Sequence, residues 1–228
     1  MRKPISKLLA LLLLGAISCV PGSSPIRITG TFSAVDDMGA CTLDNDIGQT
    51  LGRLDASGGG DYLIVLQVES ELNAGAQITN HRGLALTGTG KHIFVVDGLF
   101  LTYRSTNPVI TFEQEVIPIS SSFDPETNDN RLGVDIIGDK AATRLRDMLT
   151  DPMQVTQLFV NVQLRGHLES GETVQSNTLT YPIEVRTSNA ACPEPGNVTR
   201  TGPCGVRGGQ DGTTFSCCTG PGVPVGCP

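Results

Sequence analysis

Seven cysteines are the residues of this 228-residue chain with the widest chemical scope, because a thiol can form a disulfide, ligate a metal ion or carry a covalent group. Cys19 stands apart, behind the apolar run of residues 8–17 and one small residue. The other six are Cys41, Cys192, Cys204, Cys217, Cys218 and Cys227. The spacing therefore separates one N-terminal thiol from six others, five of which lie within the last 37 residues.

The first 18 residues, MRKPISKLLALLLLGAIS, have the order of a secretory signal peptide. Three cations come first, an apolar core follows, and small residues stand at the end. The apolar run is about half the length that a membrane-spanning helix needs. We therefore expect residues 1–18 to be a signal peptide that is removed on export.

The end of this leader, Ala16-Ile17-Ser18-Cys19, resembles the lipobox of bacterial lipoproteins, although Ala16 stands where leucine is more common. The resemblance implies cleavage before Cys19, a diacylglycerol thioether on its sulfur, and anchoring of the chain to membrane lipid by acyl chains. Because Val20 and not aspartate follows the cysteine, it also implies the outer membrane, facing the periplasm or the cell surface. The alternative is an ordinary signal peptide, with Cys19 an ordinary cysteine inside or just after it.

If Cys19 carries lipid, the other six cysteines predict three disulfides in an exported protein, among about 15 possible pairings. Since five of the six lie in the tail, full pairing requires Cys41 to bond to one of those five. Such a bridge closes a loop of at least about 150 residues and stabilises the fold by about 4 kcal/mol. A zinc site is disfavoured, because there is no Cys-x-x-Cys pair and no histidine in the tail.

Four aspartates, Asp36, Asp37, Asp44 and Asp46, surround Cys41 in what we interpret as a glycine-containing loop. Clustered carboxylates suit calcium, but the register is not that of an EF-hand. Solvated loops have the same composition. The four aspartates are therefore calcium candidates beside the simpler interpretation of an exposed loop, and no cofactor is predicted.

Other chemical motifs are incomplete. Residues 85–92, ALTGTGKH, approach a phosphate-binding loop, but His92 replaces the hydroxyl residue that holds magnesium, and a strand follows where a helix is needed. The three histidines, His81, His92 and His167, accompany no Gly-x-Ser-x-Gly turn. The sequence therefore predicts a protein that is not an enzyme.

The charge balance excludes some partners. Removal of residues 1–18 leaves 210 residues and takes away three cations and no acidic residue, so the formal net charge of −7 becomes −10. An acidic chain without a Lys/Arg cluster argues against nucleic acid or anionic lipid as a partner. An aromatic content of 4% with no tryptophan also weakens a carbohydrate-binding interpretation.

The elements that must position these residues are mostly strands, since from Ile26 to Val185 the dominant apolar period is two. Residues 158–164 and 179–185 predict an antiparallel hairpin. Within the strands we expect a bulge at Gly98. Pro182 lacks a backbone donor, so we expect either an edge position for its strand or an outward direction for its missing hydrogen bond. Further strands are predicted at residues 62–68, 93–103, 109–116 and 132–137.

One helix interrupts this pattern. Asp139 is a plausible N-cap, an apolar stripe of Ala142, Leu145 and Leu149 follows, and Asp151-Pro152 ends the helix. One short helix among about seven strands predicts a mainly β fold, namely an antiparallel β-sandwich. The strand count and the closing hairpin resemble immunoglobulin-like and fibronectin-like sandwiches, without the tryptophan and the strand cysteine pair of immunoglobulins.

Composition divides the chain into four parts. Residues 1–18 are the signal peptide, and residues 19–25 are the lipidated cysteine and a short tether. Residues 26–187 form the sandwich. Residues 188–228 are an irregular Gly/Pro/Cys-rich tail stapled by disulfides, because that composition suits tight turns and not a conventional core.

Taken as a whole, the pattern resembles bacterial envelope lipoproteins, in architecture and not through a further diagnostic motif. The leading hypothesis is a membrane-anchored, non-enzymatic module that binds an envelope or extracellular protein through its loops or its stapled tail. The alternatives are a structural envelope protein and an enzyme with an unrecognised, calcium-dependent site. The sequence does not distinguish the ligand or the oligomeric state.

Overall fold

The computed structural model describes residues 24–37, 40–70, 78–79, 85–86, 93–123, 130–188, 204 and 209–211. These residues form twelve strands, a 3₁₀ turn at Ala56–Gly58 and one helix, α1 (Asp139–Met148). None of the helical residues in these ranges belongs to a helix long and apolar enough to cross a membrane. The strands are β1 (Ile26–Asp37), β2 (Ala40–Gly48), β3 (Gly52–Asp55), β4 (Leu63–Ser70), β5 (Ile78–Thr79), β6 (Ala85–Leu86), β7 (Phe94–Ser105), β8 (Glu115–Phe123), β9 (Asn130–Asp135), β10 (Val155–Leu168), β11 (Thr173–Gln175) and β12 (Leu179–Arg186).

Two sheets contain most of these strands. The four-stranded sheet has the order β2-β1-β4-β9 and is antiparallel throughout. The six-stranded sheet has the order β3-β12-β10-β7-β8, with β11 also paired to β10. Its β3–β12 pair is parallel, and its other described pairs are antiparallel. The prediction of a mainly β protein with packed sheets is confirmed, while the immunoglobulin-like topology stays a prediction.

The core lies between the two sheets, where alternate residues of each strand point inward. In β10 buried side chains alternate strictly with more exposed ones over the whole strand. The inward residues of both sheets belong to one hydrophobic cluster, and fully burying each such side chain stabilises the fold by about 1.5–3 kcal/mol. Its members include Leu158, Val160, Val162 and Leu164 of β10, and Ile64, Leu66 and Val68 of β4.

Most of the strands expected from alternation are present, because β4, β7, β9, β10 and β12 overlap the predicted segments. The strand predicted at residues 109–116 is wrong. The Asn107 carbonyl accepts from the Ile110 amide at 3.1 Å, and the Asn107 side chain accepts from the Val109 amide at 3.1 Å. This turn uses donors that a strand would need, and pairing with β7 begins only at Glu115. The apolar alternation comes instead from loop residues, of which Ile110 is buried.

Two irregularities expected within strands are found. The register between β7 and β8 shifts between Val96 and Gly98, which confirms the predicted bulge. The edge position expected for Pro182 is found only locally. β12 lies between β3 and β10, but β3 pairs with it only from Ile183 onward, so Pro182 pairs with β10 alone.

Helix α1 is where the sequence predicts a helix, but the prediction that Asp139 caps it is wrong. Asp139 is the first helical residue and Gly138 is the cap, without a side-chain hydrogen bond of its own. The carboxylate of Glu115, from β8, accepts from the Lys140 amide at 3.2 Å and the Ala141 amide at 2.9 Å. An acidic side chain from another element therefore satisfies the helix N-terminus.

The aspartate-rich segment around Cys41 was predicted to be a loop, and this is wrong. Asp36 and Asp37 end β1, whereas Asp44 and Asp46 lie within β2. The two strands form a tight antiparallel hairpin in which Asp37 pairs with Ala40.

Candidate functional site

The cysteines singled out by the sequence lie largely outside the described residues. This applies to Cys19, the predicted lipidation site, and to Cys192, Cys217, Cys218 and Cys227. Cys41 is in β2, opposite Asp36 of β1. Cys204 is disulfide-bonded, and the side chain of its partner cysteine lies outside the part of the chain that the structure describes. Lipidation and the pairing scheme remain predictions.

The calcium hypothesis also stays untested, because the side chains of Asp36, Asp37, Asp44 and Asp46 lie outside what the structure describes. Among the described side chains, no group of three or more His, Cys, Asp or Glu is placed to hold a metal ion. His81 and His92, with most of the incomplete phosphate loop, are likewise outside. His167 lies in β10, where its Nδ1 is 2.8 Å from a carboxylate oxygen of Asp97.

The exposed surface with the most extensive contacts between its own side chains among the described residues is the outer face of the six-stranded sheet. Because strand residues alternate between faces, the β10 residues that alternate with the buried ones point away from the core and meet outward residues of β7 and β12. We call this surface the stacked face. It consists of Phe100, Thr102 and Arg104 of β7, Phe159, Asn161, Gln163 and Arg165 of β10, and Thr180 and Pro182 of β12.

Two arginines on the stacked face lie over aromatic rings. The guanidinium carbon of Arg104 is 4.7 Å from the centroid of Phe159, its direct partner in the β7–β10 register. That of Arg165 is 4.1 Å from the centroid of Phe100. Such cation–π contacts are worth about 0.5–1 kcal/mol at exposed sites. They hold two cationic groups in fixed positions on a surface of an acidic protein.

A row of hydrogen-bonded polar side chains lies between the two stacks. The Asn161 amide donates to the Thr102 hydroxyl at 3.2 Å, and the Thr180 hydroxyl donates to the Asn161 carbonyl oxygen at 2.7 Å. The row thus crosses three strands, β7, β10 and β12. Next to it, the Gln163 amide donates to the Ser176 carbonyl at 2.9 Å. These bonds hold the side chains in one arrangement, so the surface is organised before any contact with a partner.

A cleft lies between α1 and the loop before β8. This cleft has a volume of about 620 Å³, which is in the range of small-molecule sites. Lys140 and Glu113 form an ion pair of 2.9 Å there, and both side chains are exposed. Charges of both signs line the cleft, so it specifies no single class of ligand. The lining residues are Thr111, Phe112, Glu113, Asp139, Lys140, Ala141, Thr143, Arg144 and Asp147.

A partly buried carboxyl group lies at the end of β9. Asp135 Oδ1 accepts from the Tyr62 amide at 2.9 Å and from the Ile137 amide at 3.0 Å. Burial raises the pKa of Asp135 to about 6 against these two hydrogen bonds, and the neighbouring charges of Asp61 and Asp139 raise it further. Its two hydrogen bonds stabilise the connection between β9 and α1, and its pKa lies well above that of an ordinary aspartate.

Comparison of the chain with protein-family models, with curated proteins and with solved structures finds no match. Sequence reasoning missed the stacked face, although it identified the alternation of β10. The missing information is the register that brings Arg104 to Phe159 and Arg165 to Phe100, which no local signal encodes.

Proposed function

We propose that the protein is an exported lipoprotein, anchored through Cys19, whose β-sandwich binds an acidic protein of the envelope or its surroundings through the stacked face. The binding function is non-enzymatic. Within the proposal the sandwich is of the immunoglobulin- or fibronectin-like type, which two packed sheets support. The observation that carries the proposal is the pair of ring-stacked arginines on one exposed sheet face.

The chemistry of the stacked face favours a protein partner. Arginine and aromatic residues are enriched at protein interfaces, and arginine pairs with carboxylates through two parallel hydrogen bonds. The two rings are covered by guanidinium groups at 4.7 and 4.1 Å, so they offer no bare platform for stacking of a sugar. Fixed cations on a chain with a formal charge of −7 complement carboxylates on the partner.

The area of the stacked face is smaller than that of a stable protein interface, so neighbouring surface must contribute to binding. Phe159 and Arg165 are six positions apart, about 20 Å along β10, and the three strands of the face, β7, β10 and β12, span about 10 Å, which gives on the order of 200 Å². A stable interface buries about 800 Å² per partner. The face therefore supplies the centre of an interface. Val116 of β8, which is 53% exposed and pairs with Phe100, extends it at one side.

The test is site-specific crosslinking followed by binding of purified proteins. A photoreactive residue replaces Thr102 in the full chain in native cells, and the crosslinked species is identified by mass spectrometry. Binding of that partner is then measured with the wild type and with a double variant, Arg104→Ala with Arg165→Ala. We expect an acidic protein, a loss of affinity of at least about tenfold in the double variant, and weaker binding at higher salt.

The matched control is Arg131→Ala. Arg131 of β9 lies over the ring of Phe32 at 4.8 Å, so it forms the same kind of stack on the other sheet. It should leave the affinity unchanged. Crosslinking to glycan or lipid, no crosslink at all, or an equal loss in the control would refute the assignment of the stacked face to an acidic protein.

A further inference from the structure

Three residues of the tail, 209–211, contact the sandwich, although they lie more than 20 positions beyond the end of β12 in the sequence. The Asp55 amide donates to the Gly209 carbonyl at 2.9 Å, and the Asp211 amide donates to the Arg53 carbonyl at 2.8 Å. Between them Gln210 forms an antiparallel bridge with Leu54. Because β12 occupies the other side of β3, the segment Gly209–Asp211 adds a short strand to the outer edge of the six-stranded sheet.

The side chain of Gln210 joins this segment to the opposite sheet. Its Oε1 accepts from the Leu63 amide at 2.9 Å, and its Nε2 donates to the Leu63 carbonyl at 2.6 Å. Leu63 is the first residue of β4, in the four-stranded sheet. Gln210 is only 1% exposed, so its amide pairs with one residue of β4 as a strand neighbour would.

The carboxylate of Asp211 is held by three groups of the sandwich. The buried Tyr62 hydroxyl lies 2.9 and 2.8 Å from its two oxygens, and the Gln49 amide donates to it at 2.8 Å. The Arg53 backbone amide donates at 2.8 Å. Burial, with Tyr181 and Asp211 nearby, raises the pKa of Tyr62, so the hydroxyl keeps its proton and stays a donor.

Gly209 completes the selectivity of the site. Its φ is +108°, and a Cβ at this position would lie 2.7 Å from the Asp55 carbonyl oxygen. No other residue type fits without displacing β3. The site therefore recognises glycine, then a primary amide, then a carboxylate, and the described groups that contact them belong to residues 49–63 of the sandwich.

The covalent connection does not oblige the segment to come from the same copy. The Ser188 amide donates to the Asp55 carboxylate at 3.1 Å, and the Asp55 amide donates to the Gly209 carbonyl. Ser188 and Gly209, on either side of the connecting segment, therefore contact the same residue of the sandwich. Twenty residues, 189–208, join these two points, and four, 205–208, lie between Cys204 and Gly209. Even the five Cα–Cα steps from Cys204 to Gly209 reach about 17 Å when extended. Contacting copies can therefore exchange segments, as in domain swapping.

We propose that this end of the sandwich is a binding site for a Gly-Gln-Asp segment, occupied by residues 209–211 of its own chain in the monomer and by those of a second copy in an exchanged dimer. The site is separate from the stacked face, so the proposal stands independently of the acidic partner. It makes the tail an exchangeable ligand of the sandwich.

The first experiment uses a synthetic peptide of residues 206–214 as the probe and the full-length chain with Asp211→Ala as the receptor. We expect saturable binding to this variant and none to the wild type, where the tethered segment competes at high effective concentration. The same peptide with alanine in place of Asp211 should bind at least about tenfold more weakly, since it lacks the charge-assisted bonds. Circular dichroism verifies that the receptor is folded, and Gln210→Ala serves as a second receptor.

The second experiment mixes two full-length variants. Asp211→Ala has a defective ligand and an intact site, whereas Tyr62→Phe with Gln49→Ala has an intact ligand and a defective site. Analytical ultracentrifugation should show a dimer in the mixture and monomers in each variant alone. A peptide that binds neither folded receptor overturns the proposal. Peptide binding without a mixed dimer overturns the second copy as the occupant.

Discussion

Asp135→Asn is expected to stabilise the protein at neutral pH, although it removes a partly buried charge that accepts two hydrogen bonds. Both bonds, from the amides of Tyr62 and Ile137, go to Oδ1, so the carbonyl oxygen of asparagine can accept them. The pKa of Asp135 rises from 3.8 to about 6 on folding. At 1.36 kcal/mol per pH unit, this corresponds to about 3 kcal/mol of destabilisation once the group is ionised.

The sign follows from proton binding. Between about pH 4 and pH 6 the folded state holds a proton on Asp135 that the unfolded state has lost, so stability falls as the pH rises through this range. The variant should therefore gain up to about 3 kcal/mol at pH 7, or about 6–12 °C in melting temperature, and nothing below pH 4. Urea denaturation at pH 4, 5, 6 and 7 measures the difference.

Asp147→Asn is the matched control, because it removes the same charge from an exposed position on α1. It should not change the slope of stability against pH between pH 4 and pH 6. If Asp135→Asn were no more stable than the wild type at pH 7, or if both variants showed the same slope as the wild type, burial would not control this carboxyl and the reasoning would be wrong.

Three further outcomes are expected. Gly166→Ala should lower stability by about 1–3 kcal/mol in urea denaturation, because its Cβ would overlap the Val95 backbone, whereas Gly133→Ala has free space and should be tolerated; equal losses would contradict this. Glu115→Ala should cost about 1–2 kcal/mol by removing the cap of α1, while Glu113→Ala breaks an exposed ion pair and should change the unfolding midpoint little. The intact mass of the protein from native membranes should lack residues 1–18, carry diacylglycerol and an acyl chain, and show six alkylatable thiols only after reduction; an unlipidated mass would refute the anchor.

Local pattern was sufficient for much of the fold. The alternation in β10 and the stripe of α1 are properties of neighbouring residues, so they can be recognised in the sequence. The same rule failed at residues 109–116, because Ile110 and Phe112 alternate while packing from a loop. Phe112 lies against Tyr103 with the ring centroids 5.5 Å apart, a contact between elements that no local periodicity distinguishes from a strand.

The candidate sites depend on contacts between residues far apart in the chain, which is why the sequence did not reveal them. Arg104 meets Phe159 only through the register of β7 and β10. Gln210 meets Leu63 across 147 positions and lies in a glycine-rich tail without periodicity. The tail was expected to be an appendix linked to the sandwich by a disulfide. Residues 209–211 also take part in both sheets through hydrogen bonds, while the disulfide link to the sandwich stays a prediction.

Both proposed surfaces belong to the six-stranded sheet, and β12 shows why they can act separately. Its contribution to the stacked face, Thr180 and Pro182, precedes Ile183, where pairing with β3 begins. Residues 209–211 dock on the side of β3 that faces away from β12. Their chemistry is also opposite, since one surface presents guanidinium groups and the other surrounds a carboxylate with neutral donors. Because no residue serves both surfaces, a change in one has no direct route to the other, and each binding experiment tests its own surface alone.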